Sequence, residues 1–392
     1  PDEGELSMRL LIISHTPHYR QGDSAVGWGS TVREVDQLAT LFAEVVHLAP
    51  LHPGPAPGSA LPYQASNIRL VPLRPAGGEG LAQKLGVFRQ VPGWLSAMKA
   101  EMQRVDALHI RCPAGVSLVA LLGARLWGRS KPTWVKYAGN WLPEKDPLTY
   151  ALQRSWLRHN FHRGVVTVNG AWPRQAAHIL SFHNPSYSLA DYHQASRLGR
   201  EKTLQTPIQL LFVGRIEAQK GVGRLVEIAS LLKAQGLPFS LTLVGDGPAR
   251  PRFEKMVREA GLARQVRFAG WQPRVTVNEH YQTAHILLHP STASEGWPKV
   301  LSEAMAHGAV PIASTVSSIP QILAETGAGL TIPTDDLQTY AEAILKYTQD
   351  ADRWKRASLK GIAAGERFTY EHYLARVRAM FADCWQLDLN HG

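Results

Sequence analysis

The chain alternates short apolar runs with longer segments in which apolar residues recur every three or four positions. Runs such as LLII at 10–13, GVVTVNG at 164–170 and IQLLFV at 208–213 have the length of buried strands. The segments between them have the periodicity of amphipathic helices. This alternation predicts an α/β protein whose parallel sheets are covered by helices on both faces.

Chain length and breaks in the pattern predict two domains. A chain of 392 residues is too long for one ordinary core, so two Rossmann-like domains are expected. Residues 185–206 lack a sustained apolar period, which indicates an interdomain connector. We therefore expect a first domain at 1–184, a second at 207–366, and a final amphipathic helix at 367–392.

The positive charge is concentrated in the first half. Residues 1–190 hold 19 Lys and Arg against 12 Asp and Glu, and the remainder holds 23 against 20. A basic half predicts an acidic partner: a phosphorylated substrate, an anionic membrane surface or a nucleic acid. The sequence contains no zinc-finger spacing, RNA-binding aromatic signature or dense Lys/Arg run, so we do not expect nucleic acid.

Cysteine usage and the length of the apolar runs predict a cytoplasmic protein. Cys112 and Cys384 are too few for a disulfide framework and fit a reducing compartment. The longest apolar candidate, 116–127, contains an arginine and falls short of the ~20 residues that a membrane helix needs. Any membrane contact is therefore expected to be peripheral, at the inner membrane face.

A glycine-rich stretch follows the first apolar run and leads into an amphipathic helix. The order strand, glycine loop and helix start offers backbone N–H groups to a phosphate. Gly27, Gly29 and Ser30 are the candidate contacts. A plain tight turn between strand and helix explains the same glycines, so both interpretations stay open.

Two glutamates eight residues apart mark the segment 289–308. Pro298 indicates the first turn of a helix and Gly308 its end. Glu295 would then lie in the loop before the helix and Glu303 on its second turn. Carboxylates accept hydrogen bonds from pairs of hydroxyls, so the two are candidates for holding a sugar.

Two cations precede another helix. Arg215 and Lys220 lie in the loop between the strand at 208–213 and a helix that starts near Gly221. Two cations beside a helix N-terminus form a site for a diphosphate. The alternative is a pair of solvated loop cations.

The sequence predicts no metal site. The only Asp-x-Asp match, Asp350–Asp352, lies in a polar helical region, where a solvated surface explains it. We therefore expect fixed cations, rather than a metal, to stabilise a bound diphosphate.

Several of these segments together resemble the retaining glycosyltransferases of family 4, which have the GT-B fold. The resemblance covers roughly 207–335. It is carried by LFVGRIEAQKG at 211–221, VGDGP at 244–248, VRFAGW at 266–271 and the glutamates of 289–308, an E-x7-E pattern. It implies two Rossmann-like domains that face each other across a cleft, with the final helix crossing back to the first.

The resemblance also implies residue roles. Glu303 would bind the ribose hydroxyls and Glu295 those of the transferred sugar, while Arg215 and Lys220 would hold the diphosphate. Arg274 would lie near the base. The remaining donor-binding candidates are backbone contacts, Gly214, Lys299 and Val300.

The chain departs from the family pattern at three places. Pro298 stands where the family usually has glycine, which removes one N–H donor. Ser317–Ser318 replaces a usual Gly-Gly pair. Asp106 and His109 match an Asp-x-x-His-x-His pattern in which Arg111 occupies the place of the second histidine. His109 and Arg111 are candidate catalytic residues beside Glu295, Arg215 and Lys220.

The prediction is a metal-independent retaining glycosyltransferase without a cofactor. The donor would be a nucleotide sugar, with a UDP-sugar favoured and a GDP-sugar next, and the acceptor a saccharide or a lipid-linked saccharide. Trp28, Asn140 and Trp141 are the acceptor-side candidates. The alternatives are a GT-B nucleotide-sugar epimerase and a non-catalytic protein that binds sugar nucleotides.

Overall fold

The structure, a computed structural model, describes residues 7–76, 81–143 and 147–389. The chain divides into two compact units. Unit 1 comprises Pro1–Phe182 and Tyr373–Gly392, and unit 2 comprises His183–His372. The first six residues of the expected first domain and the last three of the expected final helix lie outside the described residues.

Unit 1 is built on a large, mostly parallel sheet. In its described part the strand order is β10-β9-β8-β7-β1-β4-β2-β3-β5, with β6 paired to β4. The strands are β1 (Arg9–Ile13), β2 (His18–Gln21), β3 (Ser24–Trp28), β4 (Glu44–His52), β5 (Ala60–Pro62), β6 (Ile68–Leu73), β7 (Ala107–Cys112), β8 (Thr133–Tyr137), β9 (Val165–Val168) and β10 (Ile179–Ser181). The helices are α1 (Gly29–Ala39), α2 (Leu81–Met102), α3 (Gly115–Trp127), α4 (Leu148–Arg158) and the last helix of the chain, α13 (Tyr370–Trp385).

Helices cover both faces of this sheet, and alternate residues of β1 contribute to an apolar core on each face. Leu11 and Ile13 pack in one cluster with residues of α2, α3 and α4. Leu10 and Ile12 pack in the other with residues of α1 and α13. Successive strand residues point to opposite faces, so a strand that is buried on both sides needs a continuous apolar run.

Unit 2 is a smaller, wholly parallel sheet in the order β13-β12-β11-β14-β15-β16. Its strands are β11 (Ile208–Val213), β12 (Phe239–Val244), β13 (Val266–Gly270), β14 (Ile286–His289), β15 (Val310–Ser314) and β16 (Leu330–Ile332). Its helices are α5 (Leu189–Glu201), α6 (Val222–Ala234), α7 (Arg250–Glu259), α8 (Arg274–Thr283), α9 (Lys299–Ala306), α10 (Ile319–Thr326), α11 (Leu337–Gln349) and α12 (Ala351–Ala364). The predicted α/β class with two parallel-sheet domains is confirmed.

The expected connector at 185–206 is wrong, because most of it is helix α5, packed within unit 2. Ser188 and Asp191 form a capping box at its start. Its buried positions are Tyr192, Ala195, Ser196 and Gly199. They have helical spacing, but one is aromatic and the others are small or polar, so they give no aliphatic period.

The expected glycine loop after β1 is also wrong, because those residues form a hairpin. Strands β2 and β3 pair in antiparallel register, with His18 opposite Gly27. The turn uses Gly22, whose φ of +59° favours glycine. Helix α1 therefore starts directly from a strand.

The last helix is shorter than the expected 367–392. Helix α13 spans Tyr370–Trp385, and the chain rejoins unit 1 at Tyr373. Within unit 1 its residues Tyr373, Val377 and Phe381 are buried in the same cluster as Leu10 and Ile12. Among the described residues, none of the helices is long and apolar enough to cross a bilayer.

Two glycines of unit 2 allow a matched test of backbone packing. Gly221 (φ +84°) has no room for a side chain, since a Cβ atom there would lie 2.0 Å from the carbonyl oxygen of Pro290. Gly236 (φ +72°) has open space around the same position. Gly236→Ala should lower the free energy of unfolding by about 1–2 kcal/mol, the left-handed penalty alone. Gly221→Ala should lower it by more than about 4 kcal/mol, because the loop must also move. Urea unfolding measures both values, and equal losses would contradict the packing described here.

Candidate functional site

The loops that follow β11 and β14 are joined at the carboxyl edge of the unit 2 sheet, where ligands of parallel α/β sheets bind. The N–H of Thr292 donates to the carbonyl of Gln219 at 2.9 Å, and the Ser291 hydroxyl donates to the same oxygen at 3.2 Å. Gly221 allows the two backbones to come this close. The loop carrying the predicted phosphate-binding cations therefore lies against the loop carrying Glu295.

Lys220 and Glu295 form a direct ion pair. Lys220 ends a short 3-10 turn and donates from Nζ to Oε1 of Glu295. The lysine side chain is 14% exposed and the glutamate side chain 42%. Residues predicted for the diphosphate and for the sugar are thus in contact, with the carboxylate open to solvent.

His289 lies buried near this pair, at the end of β14. Burial lowers its pKa to about 4, and the opposing charges of Glu295 and Lys220 act on it more weakly. The imidazole is therefore neutral at physiological pH. The sequence pattern did not distinguish it from other core histidines.

The ion pair of Arg215 is with Glu217 and not with Glu295. Its guanidinium is 2.7 Å from Oε1 of Glu217, and 58% of its side chain is exposed. Gly214, just before it, donates its N–H to the carbonyl of Val244 at 3.0 Å. Arg215 is thus an accessible loop cation, while the Gly214 amide is already bonded.

Glu303 is held by a hydroxyl and a cation. Its Oε2 accepts from the Tyr281 hydroxyl at 2.8 Å, and its Oε1 lies 3.9 Å from the Arg274 guanidinium. Burial, with the Glu303 charge adding to it, raises the pKa of Tyr281 well above its ordinary value. The tyrosine therefore stays a donor, and the carboxylate is fixed in orientation.

Helix α9 positions Glu303 as expected, with one correction at its start. Pro298 is the N-cap residue, with φ −69° and ψ 122°, and the first helical residue is Lys299. Lys299 and Val300 open the helix, where backbone N–H groups have no carbonyl one turn earlier. The helix ends at Ala306, and Gly308 takes the left-handed conformation (φ +72°) that a helix end favours.

A cavity of about 380 Å³ within unit 2 opens beside Glu303, between helices α5, α8 and α9. It falls within the range of small-molecule sites. Both donors and acceptors line it, among them Asp191, Asn278, Glu303 and His307. Arg274, the first residue of α8, also lines it and donates to the Ser186 carbonyl at 3.1 Å.

The two serines that replace a Gly-Gly pair have different roles. Ser317 adopts φ +56°, the conformation that glycine favours. Ser318 is buried, and its hydroxyl donates to the carbonyl of Gly296 at 2.6 Å. This bond secures the residue next to Glu295, so the substitution adds a contact to the glutamate loop.

In unit 1, Arg111 is part of a buried ionic network that sequence reasoning missed. Its guanidinium donates to Oε1 of Glu34 at 2.7 Å, and Lys136 donates to the same oxygen at 2.6 Å. The Tyr373 hydroxyl is 3.3 Å from it. Glu34 therefore joins α1, β7, β8 and α13, which makes Arg111 a structural cation.

His109 is fully buried, so the structure does not present it to a substrate. Its ring lies on Trp134, with 3.8 Å between the ring centroids. Burial, assisted by the charge of Arg111, holds its pKa well below the ordinary value. Its position supports a neutral core residue rather than a catalytic one.

The remaining unit 1 candidates are the predicted acceptor-side residues, whose side chains differ in exposure. Trp28 is 41% exposed, whereas Trp141 is buried against Tyr137 and is not a sugar platform. Asn140 accepts the Leu142 N–H at 3.1 Å.

The predicted phosphate contacts at the start of α1 are mostly occupied by packing and backbone bonds. The N–H of Gly29 donates to the Ser59 carbonyl at 3.1 Å, so it is not offered to a phosphate. A Cβ atom at Gly27 would lie 2.6 Å from His18 Nε2, so this glycine makes room for the imidazole. Ser30 is the second residue of α1.

That histidine belongs to a closed ring of hydrogen bonds in unit 1. His18 Nδ1 is 2.9 Å from the Thr16 carbonyl, which only accepts, so Nδ1 carries the proton. Tyr63 then donates to His18 Nε2 at 2.7 Å and accepts from His47 Nδ1 at 2.5 Å. Ser14 donates to His47 Nε2 at 2.8 Å and accepts the Thr16 N–H at 3.2 Å.

A known protein family matches most of unit 2. Residues 198–362 match the family described as glycosyl transferases group 1. The matched residues lie within unit 2 and make up less than half of the chain. The match supports, at the level of group 1, the resemblance to glycosyltransferases that the motifs of unit 2 predicted.

Curated relatives of the chain include polysaccharide enzymes. The chain is 30% identical over 151 residues to the amylovoran biosynthesis glycosyltransferase AmsK of Erwinia amylovora, covering 37% of each chain. It is 26% identical to the phosphatidyl-myo-inositol mannosyltransferase of Mycolicibacterium smegmatis, covering 82% of each. It spans 49% or less of the length of AmsK and of the putative colanic acid glycosyltransferases WcaL.

Solved structures share the fold over nearly the whole chain. Sucrose-phosphate synthase from Thermosynechococcus elongatus has a TM-score of 0.71 at 18% identity, covering 97% of this chain and 99% of its own. Anabaena HepE in complex with UDP has a TM-score of 0.67 at 15% identity, covering 96% of this chain and 100% of its own. At these identities the likeness concerns the fold alone.

The hydrogen-bonded ring predicts a stability effect of Tyr63→Phe. The change leaves one histidine nitrogen without a donor and the other N–H without an acceptor, so the free energy of unfolding should fall by about 2–4 kcal/mol. Tyr19→Phe is the control, because among the described residues the Tyr19 hydroxyl has no hydrogen bond. Urea unfolding of both variants gives the values; matching losses would show that the ring contributes little.

Proposed function

We propose that the protein is a retaining glycosyltransferase that moves a sugar from a nucleotide-sugar donor to a saccharide or lipid-linked acceptor. A UDP-sugar is the favoured donor and a GDP-sugar the next. The observation that carries the proposal is the contact of Lys220 with Glu295, within the residues that match group 1 glycosyl transferases and at the carboxyl edge of the unit 2 sheet. Anabaena HepE, which shares the fold, was solved in complex with UDP.

The donor would use the charges that unit 2 already holds in place. Glu303, oriented by Tyr281, would accept hydrogen bonds from the ribose hydroxyls. Glu295 would accept from hydroxyls of the transferred sugar. The adjoining cavity, lined by Arg274 and Asn278, offers donors and acceptors for the base.

Lys220 and Arg215 would stabilise the departing diphosphate. Charge develops on the leaving group in the transition state, where fixed cations act most strongly. Lys220 is already held by Glu295, so it needs little reordering when the donor binds. When the bond from the sugar to the diphosphate breaks, an oxocarbenium-like sugar is left. The acceptor hydroxyl attacks it from the same face and gives its proton to the leaving diphosphate. Product NMR tests whether the configuration is retained.

Isosteric changes of the two glutamates test the assignment. Glu303→Gln keeps an acceptor for Tyr281 but removes the charge, so it should weaken both UDP and UDP-sugar binding by about 1–3 kcal/mol. Glu295→Gln should leave UDP binding nearly intact and lower transfer at least about 10-fold. Calorimetry with UDP, GDP and their sugars, followed by a transfer assay, separates the two effects.

Glu259→Gln is the matched control, since Glu259 is an exposed residue of α7 that pairs with Lys255 at 3.5 Å. Wild-type activity in both site variants would refute the assignment. The same assays separate the alternatives, because an epimerase converts the free nucleotide sugar and a binding protein does neither reaction.

We propose that transfer needs no metal, since Lys220 and Arg215 supply the charge that a metal would. Transfer should therefore survive EDTA with less than about a 2-fold loss, whereas Lys220→Met should lower kcat by about 10²-fold or more. The assay is run on protein dialysed against EDTA, with and without added Mg²⁺ or Mn²⁺. A strict requirement for either ion would overturn this proposal.

We also propose that the protein acts in the cytoplasm, in peripheral contact with an anionic membrane. The support is the excess of Lys and Arg in residues 1–190. Electrostatic attraction to anionic lipid needs no membrane-spanning segment.

A further inference from the structure

Among the described residues of unit 1, five of the eight exposed large apolar side chains lie on or just after helices α3 and α4. Leu122 and Leu126 of α3 are 43% and 49% exposed, and Leu148 and Leu152 of α4 are 89% and 54% exposed. Phe161, just after α4, is 52% exposed. Each leucine pair is spaced by four residues, which places its members on one face of their helix.

Helices α3 and α4 lie on the same side of the sheet. They connect β7 to β8 and β8 to β9, which are adjacent parallel strands, and such connections are right-handed. Gln153 of α4 ties the two together: it accepts the N–H of Ala114 at 3.2 Å and donates to its carbonyl at 3.0 Å. The five exposed apolar residues therefore belong to one layer.

The same layer carries arginines that are not balanced by acids. Arg125, Arg129 and Arg163 are close enough that the charges of Arg163 and Arg129 lower the pKa of Arg125. In the part of the chain that the structure describes, no carboxylate pairs with any of the three. Residues 107–190 contain ten Lys and Arg but only two Asp and Glu.

We propose that this α3–α4 face, formed by the five apolar residues and the three arginines, docks on an anionic lipid bilayer. Apolar side chains enter the boundary between headgroups and acyl chains, and the neighbouring cations pair with lipid phosphates. An unbalanced arginine cluster beside protruding leucines matches this two-part surface. The inference rests on the peripheral membrane contact proposed above and gives it a location.

The test is flotation of the full chain with phosphatidylcholine vesicles, with or without about 30 mol% phosphatidylglycerol, at about 0.05 and 0.5 M salt. Wild type should bind only the anionic vesicles, and more weakly at high salt. Arg129→Glu with Arg163→Glu should lower the partition coefficient at low salt by about 25-fold or more, about 5-fold per cation lost. Leu126→Ser with Leu152→Ser should lower it at both salt concentrations, because burial of apolar area is not screened.

Arg258→Glu with Arg264→Glu is the matched control, an equal charge change at exposed positions of unit 2. It should keep binding within about 2-fold of wild type. Circular dichroism checks that each variant is folded. Failure of wild type to bind at low salt, equal binding to neutral vesicles, or an equal loss in the control pair would overturn the proposal.

Transfer to a soluble acceptor is measured in parallel. It should be unchanged in all these variants, because none of the substituted residues is assigned to the donor site. Absence of transfer in every form, together with specific vesicle binding, would reject the proposed glycosyltransferase activity and leave the docking surface standing.

Discussion

The close approach of Gly221 to the backbone of Pro290 is the constraint on which the unit 2 site depends. A Cβ atom at Gly221 would be 2.0 Å from the Pro290 carbonyl oxygen, so only glycine lets the two loops pack. This packing allows the carbonyl of Gln219 to accept from the next loop and brings Lys220 to Glu295. On the other side of Glu295, the Ser318 hydroxyl bonds to the Gly296 carbonyl. Backbone contacts thus set the position of a charge pair whose members lie 75 residues apart in the chain.

Sequence reasoning predicted unit 2 better than unit 1 because the signals of unit 2 are local. Glycines at turns, cations before a helix and glutamates at fixed spacing each report on a short segment whose geometry they determine. Helix α5 was not predicted because most of its buried residues are small or polar and pack against residues distant in sequence. Gly199, for example, lies against the backbone of His307. The β2–β3 hairpin was not predicted because His18, which pairs with Gly27 in it, is held by Tyr63, 45 residues away in the chain. Packing between side chains that are distant in sequence produces no periodic pattern along the chain.

Unit 1 shows why residue identity at a motif position does not establish its role. Arg111 occupies the place of a family histidine, but its guanidinium is used by Glu34, and Lys136 shares the same carboxylate oxygen. A buried carboxylate requires such partners, since an unpaired buried charge is strongly destabilising. The network joins four secondary-structure elements. Replacing Arg111 by histidine would therefore remove a partner from Glu34 rather than restore a catalytic group.

The basic residues of unit 1 include two groups that differ in burial and in pairing. Arg111 and Lys136 are buried and paired, so their charge is compensated inside the fold and contributes little to the field outside. Arg129 and Arg163 are exposed, and among the described residues no carboxylate pairs with them. Exposed, unpaired cations such as these act on an external anion, and the range of their charge is limited to about 10 Å by salt. The formal charge of residues 1–190 therefore does not act as an evenly spread attraction for anions. Part of the uncompensated charge, at Arg129 and Arg163, lies in the same layer as the leucines that unit 1 leaves exposed.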